Sequence, residues 1–143
     1  MKTNIPKSFL KLLNYQITDS RFQIKEGIVR SITYSIDLQP ILNEIQQVSE
    51  DEFNGKVTLK ISIKGKAKNK IIHKVEVTIV GYFKGIGITQ KEFEKLCRLN
   101  GVANLIMLSR SFIASVTSQL NIRPIILPFF NLVAAQKNNL QKK

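Results

Sequence analysis

His73, Cys97 and the glycine-containing run Gly81 to Gly87 are the residues of this chain whose types could support catalysis. Ser-His-Asp chemistry needs an imidazole, and His73 is the only one present. It shares the parity of Val75, Val77 and Ile79, which predicts a packing histidine on the apolar side of a strand rather than a general base. Cys97 follows Phe93 and Leu96 in a short apolar helical pattern, which predicts a buried, unreactive thiol. One cysteine rules out an intrachain disulfide, and with one histidine it also rules out a zinc site built from these two residue types alone. The run GYFKGIG lacks both the Gly-Lys-Ser/Thr ending and the GxGxxG order of phosphate loops, so it reads as a turn after a strand. The sequence is therefore expected to be a non-enzyme, with no cofactor and no metal.

Charge offers a second kind of chemistry. Twenty-two basic residues against ten acidic ones give a net charge of +12. Lys64, Lys66, Lys68 and Lys70 crowd one short stretch, and Lys56, Lys60 and Lys74 share the polar side of the flanking strands. Such a surface can grip phosphates. Few aromatic residues interleave with these lysines, which argues against base stacking. The lysines are also spread along the chain, as they would be if they simply kept a sticky protein in solution. A basic nucleic-acid-binding module using this face and hairpin tip is the alternative reading.

These residues must be positioned by a domain of 143 residues, long enough for one real core. No repeat or linker divides it, so residues 1–143 are expected to form a single domain with a frayed basic tail from about residue 136. Leu13, Tyr15 and Ile17 alternate with polar residues until Asp19, Ser20 and Arg21 interrupt before Phe22 and Ile24, the pattern of a bulged strand. Ile28, Arg30, Ile32, Tyr34, Ile36 and Leu38 share one parity, and Pro40 is expected to end that strand. Ile41 to Asn54, with its acidic Glu50-Asp51-Glu52 cluster, reads as a polar crossover with some helical tendency. Val57, Leu59, Ile61 and Ile63, then Val75, Val77 and Ile79, alternate with polar residues about a tip at Gly65 to Lys70. That is an antiparallel hairpin with one dry face and one wet face.

Helices follow. Thr89-Gln90-Lys91-Glu92 fits a capping box, and Asn100-Gly101 is expected to stop the helix it opens. Leu105, Leu108, Phe112, Val116 and Leu120 then recur at helical spacing. Ile106 and Ile113 widen the apolar surface beyond one stripe, and Ser109, Ser111, Ser115 and Ser118 permit close approach. A helix apolar on more than one side predicts a second copy against it, with Leu105, Leu108, Ser109, Phe112, Ser115 and Val116 at the interface. Val102 to Leu120 approaches membrane-spanning length, but Arg110 at its centre would cost about 2.5–3.5 kcal/mol, so no membrane span is expected. A last helix is expected from Phe129 to Leu140. The fold class is α+β, a four-stranded antiparallel sheet with helices on one face.

Four segments resemble, in order, those of the SecB protein-export chaperone family. Thr18-Asp19-Ser20-Arg21-Phe22 is similar to its first-strand Lys-Asp-x-x-Phe, and Gly81-Tyr82-Phe83 to the Gly-Ile-Phe of its last strand. Ser109-Arg110-Ser111-Phe112-Ile113 resembles the Ala-Arg-Glu-x-Ile of its long helix, with serine replacing the glutamate. Gln119-Leu120-Asn121-Ile122-Arg123-Pro124-Ile125 resembles the Gln-Leu-Asn-Leu-x-Pro-Val that follows that helix.

The resemblance implies a bacterial, cytoplasmic, ATP-independent holdase, assembled as a homotetramer (a dimer of dimers), whose partners are non-native polypeptide clients. It places a client groove at Ile36, Leu38, Ile41, Ile126, Leu127, Phe129 and Phe130. It also implies docking of the export motor SecA through sheet carboxylates, of which Asp19 and Glu76 remain, while Gln23 replaces a third and Lys74 stands where leucine is usual. Divergent relatives serve antitoxins, so an antitoxin is the other implied partner.

Overall fold

The computed structural model describes residues 9–27, 29, 31–130 and 132. Ile28, Arg30 and the basic tail lie outside the described residues. Four strands form one antiparallel sheet: β1 (Leu10–Ile24), β2 (Thr33–Ser49), β3 (Glu52–Ala67) and β4 (Lys70–Ile86), in the order β1-β4-β3-β2. The expected α+β class holds, with the helices on one face.

The central strands follow the alternation. Val57, Leu59, Ile61 and Ile63 on β3 stand beside Gly81, Ile79, Val77 and Val75 on β4, and all are buried on the helix-covered face. Each such aliphatic side chain contributes about 1.5–3 kcal/mol by leaving water. β1 carries two irregularities, between Leu12 and Asn14 and between Ile17 and Asp19. The second is the expected bulge. The first makes Leu13 the extra residue, so Leu12 packs against the core and Leu13 is exposed.

β2 departs from expectation. Pro40 does not end it: the strand continues to Ser49, with Pro40 opposite Leu59. β2 is an edge strand, and an N–H pointing outward there has no ladder bond to lose. The region read as a polar crossover is therefore the rest of β2, bulged at Glu44 (φ 55), and the start of β3. The acidic cluster holds the tight turn between them, where the Asp51 carbonyl accepts from Gly87 N at 2.8 Å. The true crossover is the segment between β1 and β2, which passes from one edge of the sheet to the other.

Thr89 caps α1 (Gln90–Leu96) with the first bond of the expected capping box, its Oγ1 accepting from Glu92 N at 3.2 Å, while the Glu92 carboxylate turns back to the Thr89 hydroxyl, Oε1 accepting from Oγ1 at 3.2 Å. Asn100-Gly101 does not stop this helix. A π-helical turn, Cys97–Gly101, joins α1 to α2 (Val102–Ser118) without a break. Gly101 has helical angles, and its missing side chain makes room for Phe83, whose Cζ would lie 3.3 Å from a Cβ there. Nor is the run Gly81 to Gly87 a loop. β4 continues through it to Ile86, and Gly85 with Gly55 forms a shelf for the Phe93 ring. Phe93 stacks there on Phe53 with centroids 5.8 Å apart.

The stretch Gln90–Ser118 is long and apolar enough to cross a membrane by length and composition. Its apolar residues have another use, because Leu105, Ile106 and Ile113 are buried against the sheet.

Candidate functional site

Among the described residues no group of three or more His, Cys, Asp or Glu side chains could hold a metal. Cys97 is buried, and burial pushes its thiol pKa up to about 12. His73 is buried on the helix-covered face, where Tyr34 Oη and His73 Nδ1 share a hydrogen bond of 2.8 Å. Burial moves both groups toward their neutral forms, lowering the histidine pKa and raising that of the phenol. The pair lines a half-open cavity of about 770 Å³ with Ile32, Ile122, Arg123 and Pro124. This places the end of α2 over the start of β2.

From there the chain doubles back along α2. Two side chains clamp it. Thr117 Oγ1 accepts from Ile125 N at 2.9 Å while donating to Ile113 O at 2.7 Å. Arg110 Nε donates to Leu127 O at 2.8 Å, and its guanidinium lies 4.8 Å from the centroid of Phe129. The helix covers about 10 Å between these two residues and the extended segment about 7 Å, a difference the long arginine side chain spans. Phe112, on the other flank of α2, meets Phe22 of β1 edge-on at 6.0 Å. The returning segment therefore occupies the β2 side, and Ile125 and Leu127 are buried in the core beneath it.

This arrangement sorts the sequence-predicted groove. Ile36, Leu38 and Phe130 are half-buried and pack against the same core. Leu127 is fully buried and closes the core instead of lining an open surface. Ile126 (59 % exposed) and Phe129 (80 %) stand out from the segment. Ile41 does not join them: opposite Thr58, it lies on the other face of the sheet. Phe129 and Phe130 also precede any helix; Leu132 is helical, and most of the predicted last helix lies outside the described residues. The groove expected from the sequence leaves out Tyr34, Leu42 and Ile45, which extend the half-buried row along β2. The apolar spacing of Leu38, Leu42 and Ile45 is visible in the sequence, but the stop expected at Pro40 assigns the last two to a crossover and not to the strand.

The predicted interface divides in the same way. Leu105 and Ser109 are buried under the helix against the sheet, so they belong to the monomer's core and are not available to a partner. Leu108, Phe112 and Val116 are half-buried, and Ser115 is exposed. Asp19 and Glu76 lie on the open face, where both line a shallow depression of about 280 Å³ with Asp37 and Lys60. Arg21 and Lys74 approach these two carboxylates at 3.8 and 3.5 Å. Asp37, not singled out from the sequence, shares the polar parity of Thr33 and Ser35.

The sheet order, the single long helix across one face and the clamped return segment invite comparison with solved structures. A SecB-like chaperone of Mycobacterium tuberculosis, in complex with a ChAD peptide from the HigA1 antitoxin, superposes with a TM-score of 0.68. The match covers 85% of this chain and 91% of that one at 11% identity. The chain has the SecB-like fold. A protein of unknown function from Streptococcus agalactiae aligns over 84% of this chain and 97% of its own, at 11% identity and a TM-score of 0.47. No protein-family model matches the sequence, and no curated protein matches it.

Proposed function

We propose that this SecB-like protein is an ATP-independent chaperone that binds non-native polypeptides. The observation that carries this reading is the shared fold with a SecB-like chaperone whose structure holds an antitoxin peptide. The supporting feature in this chain is the apolar row Tyr34, Ile36, Leu38, Leu42 and Ile45 on β2, with Ile126, Phe129 and Phe130 on the clamped segment. Apolar contacts of this kind discriminate little among side chains, and several together give affinity even after ordering costs.

In this reading the protein works in the bacterial cytosol as a homotetramer built from dimers. Ser111, Ser115 and Met107 on the outward side of α2 meet another copy, flanked by the half-buried Leu108 and Phe112. The client is an exported protein or an antitoxin. An antitoxin is the better fit, because Arg21 and Lys74 beside Asp19 and Glu76 weaken the attraction of that face for a basic partner such as SecA.

Light scattering of an aggregating client tests the proposal. The protein is expected to suppress aggregation equally with and without ATP. Unchanged aggregation at a severalfold molar excess would refute it.

A further inference from the structure

The open face of the sheet carries its positive charge unevenly. Lys56, Lys74 and Lys84 each stand within 4 Å of a carboxylate: Glu44 at 3.6 Å, Glu76 at 3.5 Å and Glu52 at 2.5 Å. These pairs cancel much of the charge along the sheet. Among the described residues no acid pairs with Lys64, Lys66, Lys68 or Lys70, which cluster at the β3–β4 turn. Lys64 lies directly opposite Lys74 in the ladder, so like charges face each other where the sheet leaves its acids behind.

The turn itself keeps a lysine at a conformational cost. Lys68 (φ 50) and Asn69 (φ 67) are the two central residues of a tight hairpin turn with left-handed backbone angles. Asn suits such a position, and Gly or Asn would also suit the position of Lys68 with less steric strain. A sequence selected only for a good turn would not put lysine there. The strained lysine and its three neighbours concentrate charge at the outermost point of the ribbon.

We propose that this hairpin end binds the phosphate backbone of single-stranded nucleic acid, independently of base sequence. Lys64 and Lys66 are two residues apart on one strand, about 7 Å, and the partner strand is about 5 Å away. A phosphate backbone supplies anions continuously at this density, and a flexible single strand can follow the ribbon. A polypeptide would need acids at nearly every second position. No aromatic side chain is among the residues of the tip, so the contacts read charge and not bases. This activity is separate from client capture, since the tip shares no residue with the apolar row.

Fluorescence anisotropy of a labelled twelve-nucleotide poly(U) strand tests the proposal. Four lysine–phosphate contacts give a slope of about −2.8 for log affinity against log salt, a loss of about 50-fold between 50 and 200 mM salt. Replacing Lys64, Lys66, Lys68 and Lys70 together by glutamine should bring the slope near zero while leaving client aggregation assays unchanged. Replacing Lys91 and Lys95, exposed on α1, should change affinity less than twofold. Lys68→Asn should weaken binding without lowering the melting temperature, separating charge from turn stability. Poly(A) should bind as poly(U) does. The proposal fails if the four-lysine variant keeps its affinity and slope, or if the α1 variant loses as much. It also fails if anionic vesicles bind the tip and the nucleic acid does not.

Discussion

Thr117→Val tests how the return segment is held. Valine has nearly the shape of threonine, so the fully buried site keeps its packing and loses only the hydroxyl. Two interactions go with it, the donation to Ile113 O, shared more weakly with Ala114 O, and the acceptance from Ile125 N. The first matters little, because that carbonyl lies within α2. The second leaves the N–H of buried Ile125 without a partner, and a buried unmade bond of this kind costs about 1–3 kcal/mol. For a domain of this size each kcal/mol lowers the melting temperature by about 3–4 °C, so a fall of about 3–12 °C is expected. Thr117→Ser keeps the hydroxyl and should retain protection of the Ile125 amide. Thermal melts and hydrogen exchange at that amide measure both effects. A valine variant as stable as the wild type, with the amide still protected, would refute the clamp. Because Arg110 holds the same segment two residues further on, Arg110→Met and Thr117→Val should combine non-additively.

Other substitutions probe the core and the surface. Gly85→Ala would put a Cβ 2.5 Å from Phe93 Cδ1 and should destabilise by about 1–3 kcal/mol in urea melts, whereas Gly101→Ala meets only the Phe83 ring edge at 3.3 Å and gains helix propensity, so it should cost less than 1 kcal/mol. Ser109→Asp should unfold the monomer because the site is buried, while Ser115→Asp should leave the fold intact and split the proposed oligomer in sedimentation. With its pKa lowered by burial, His73 contributes stability above its unfolded pKa near 6.5 that is lost as pH falls through its folded pKa. Urea melts at pH 7.5 and 5.5 should therefore show a loss at the lower pH that is reduced in His73→Gln. Cys97, with its pKa raised to about 12, should resist alkylation at pH 8 until the protein unfolds.

The central hairpin was legible because β3 and β4 bury one face and wet the other, which writes a period of two directly into the sequence. The capping box was legible because both of its partners lie within four residues. What failed depended on distant neighbours. Proline ends a central strand but not an edge strand, and nothing near Pro40 says which kind it occupies. Asn100-Gly101 has the composition of a stop, yet Gly101 is a packing glycine under Phe83. Gly81 and Gly85 likewise make room for Leu105 and Phe93 rather than a turn.

In the candidate site, the apolar character of Ile36, Leu38, Phe129 and Phe130 was visible, but the face each would occupy was not. The resemblance places Ile41 in the groove, although its position opposite Thr58 puts it on the other side of the sheet. In the sequence Arg110 stands out as a lone charge in an apolar helix. Its actual partners, Leu127 O and the Phe129 ring, lie seventeen and nineteen residues away, beyond any local pattern.

The most direct test of the chaperone reading is methyl NMR of the protein titrated with an unfolded client. The account predicts shift changes at Ile36, Leu38, Leu42 and Ile126, reduced in the Phe129→Ala, Phe130→Ala double variant, and persisting at high salt as apolar contacts should. Changes confined to the lysine tip and lost at high salt, or no changes at these methyls at all, would contradict it.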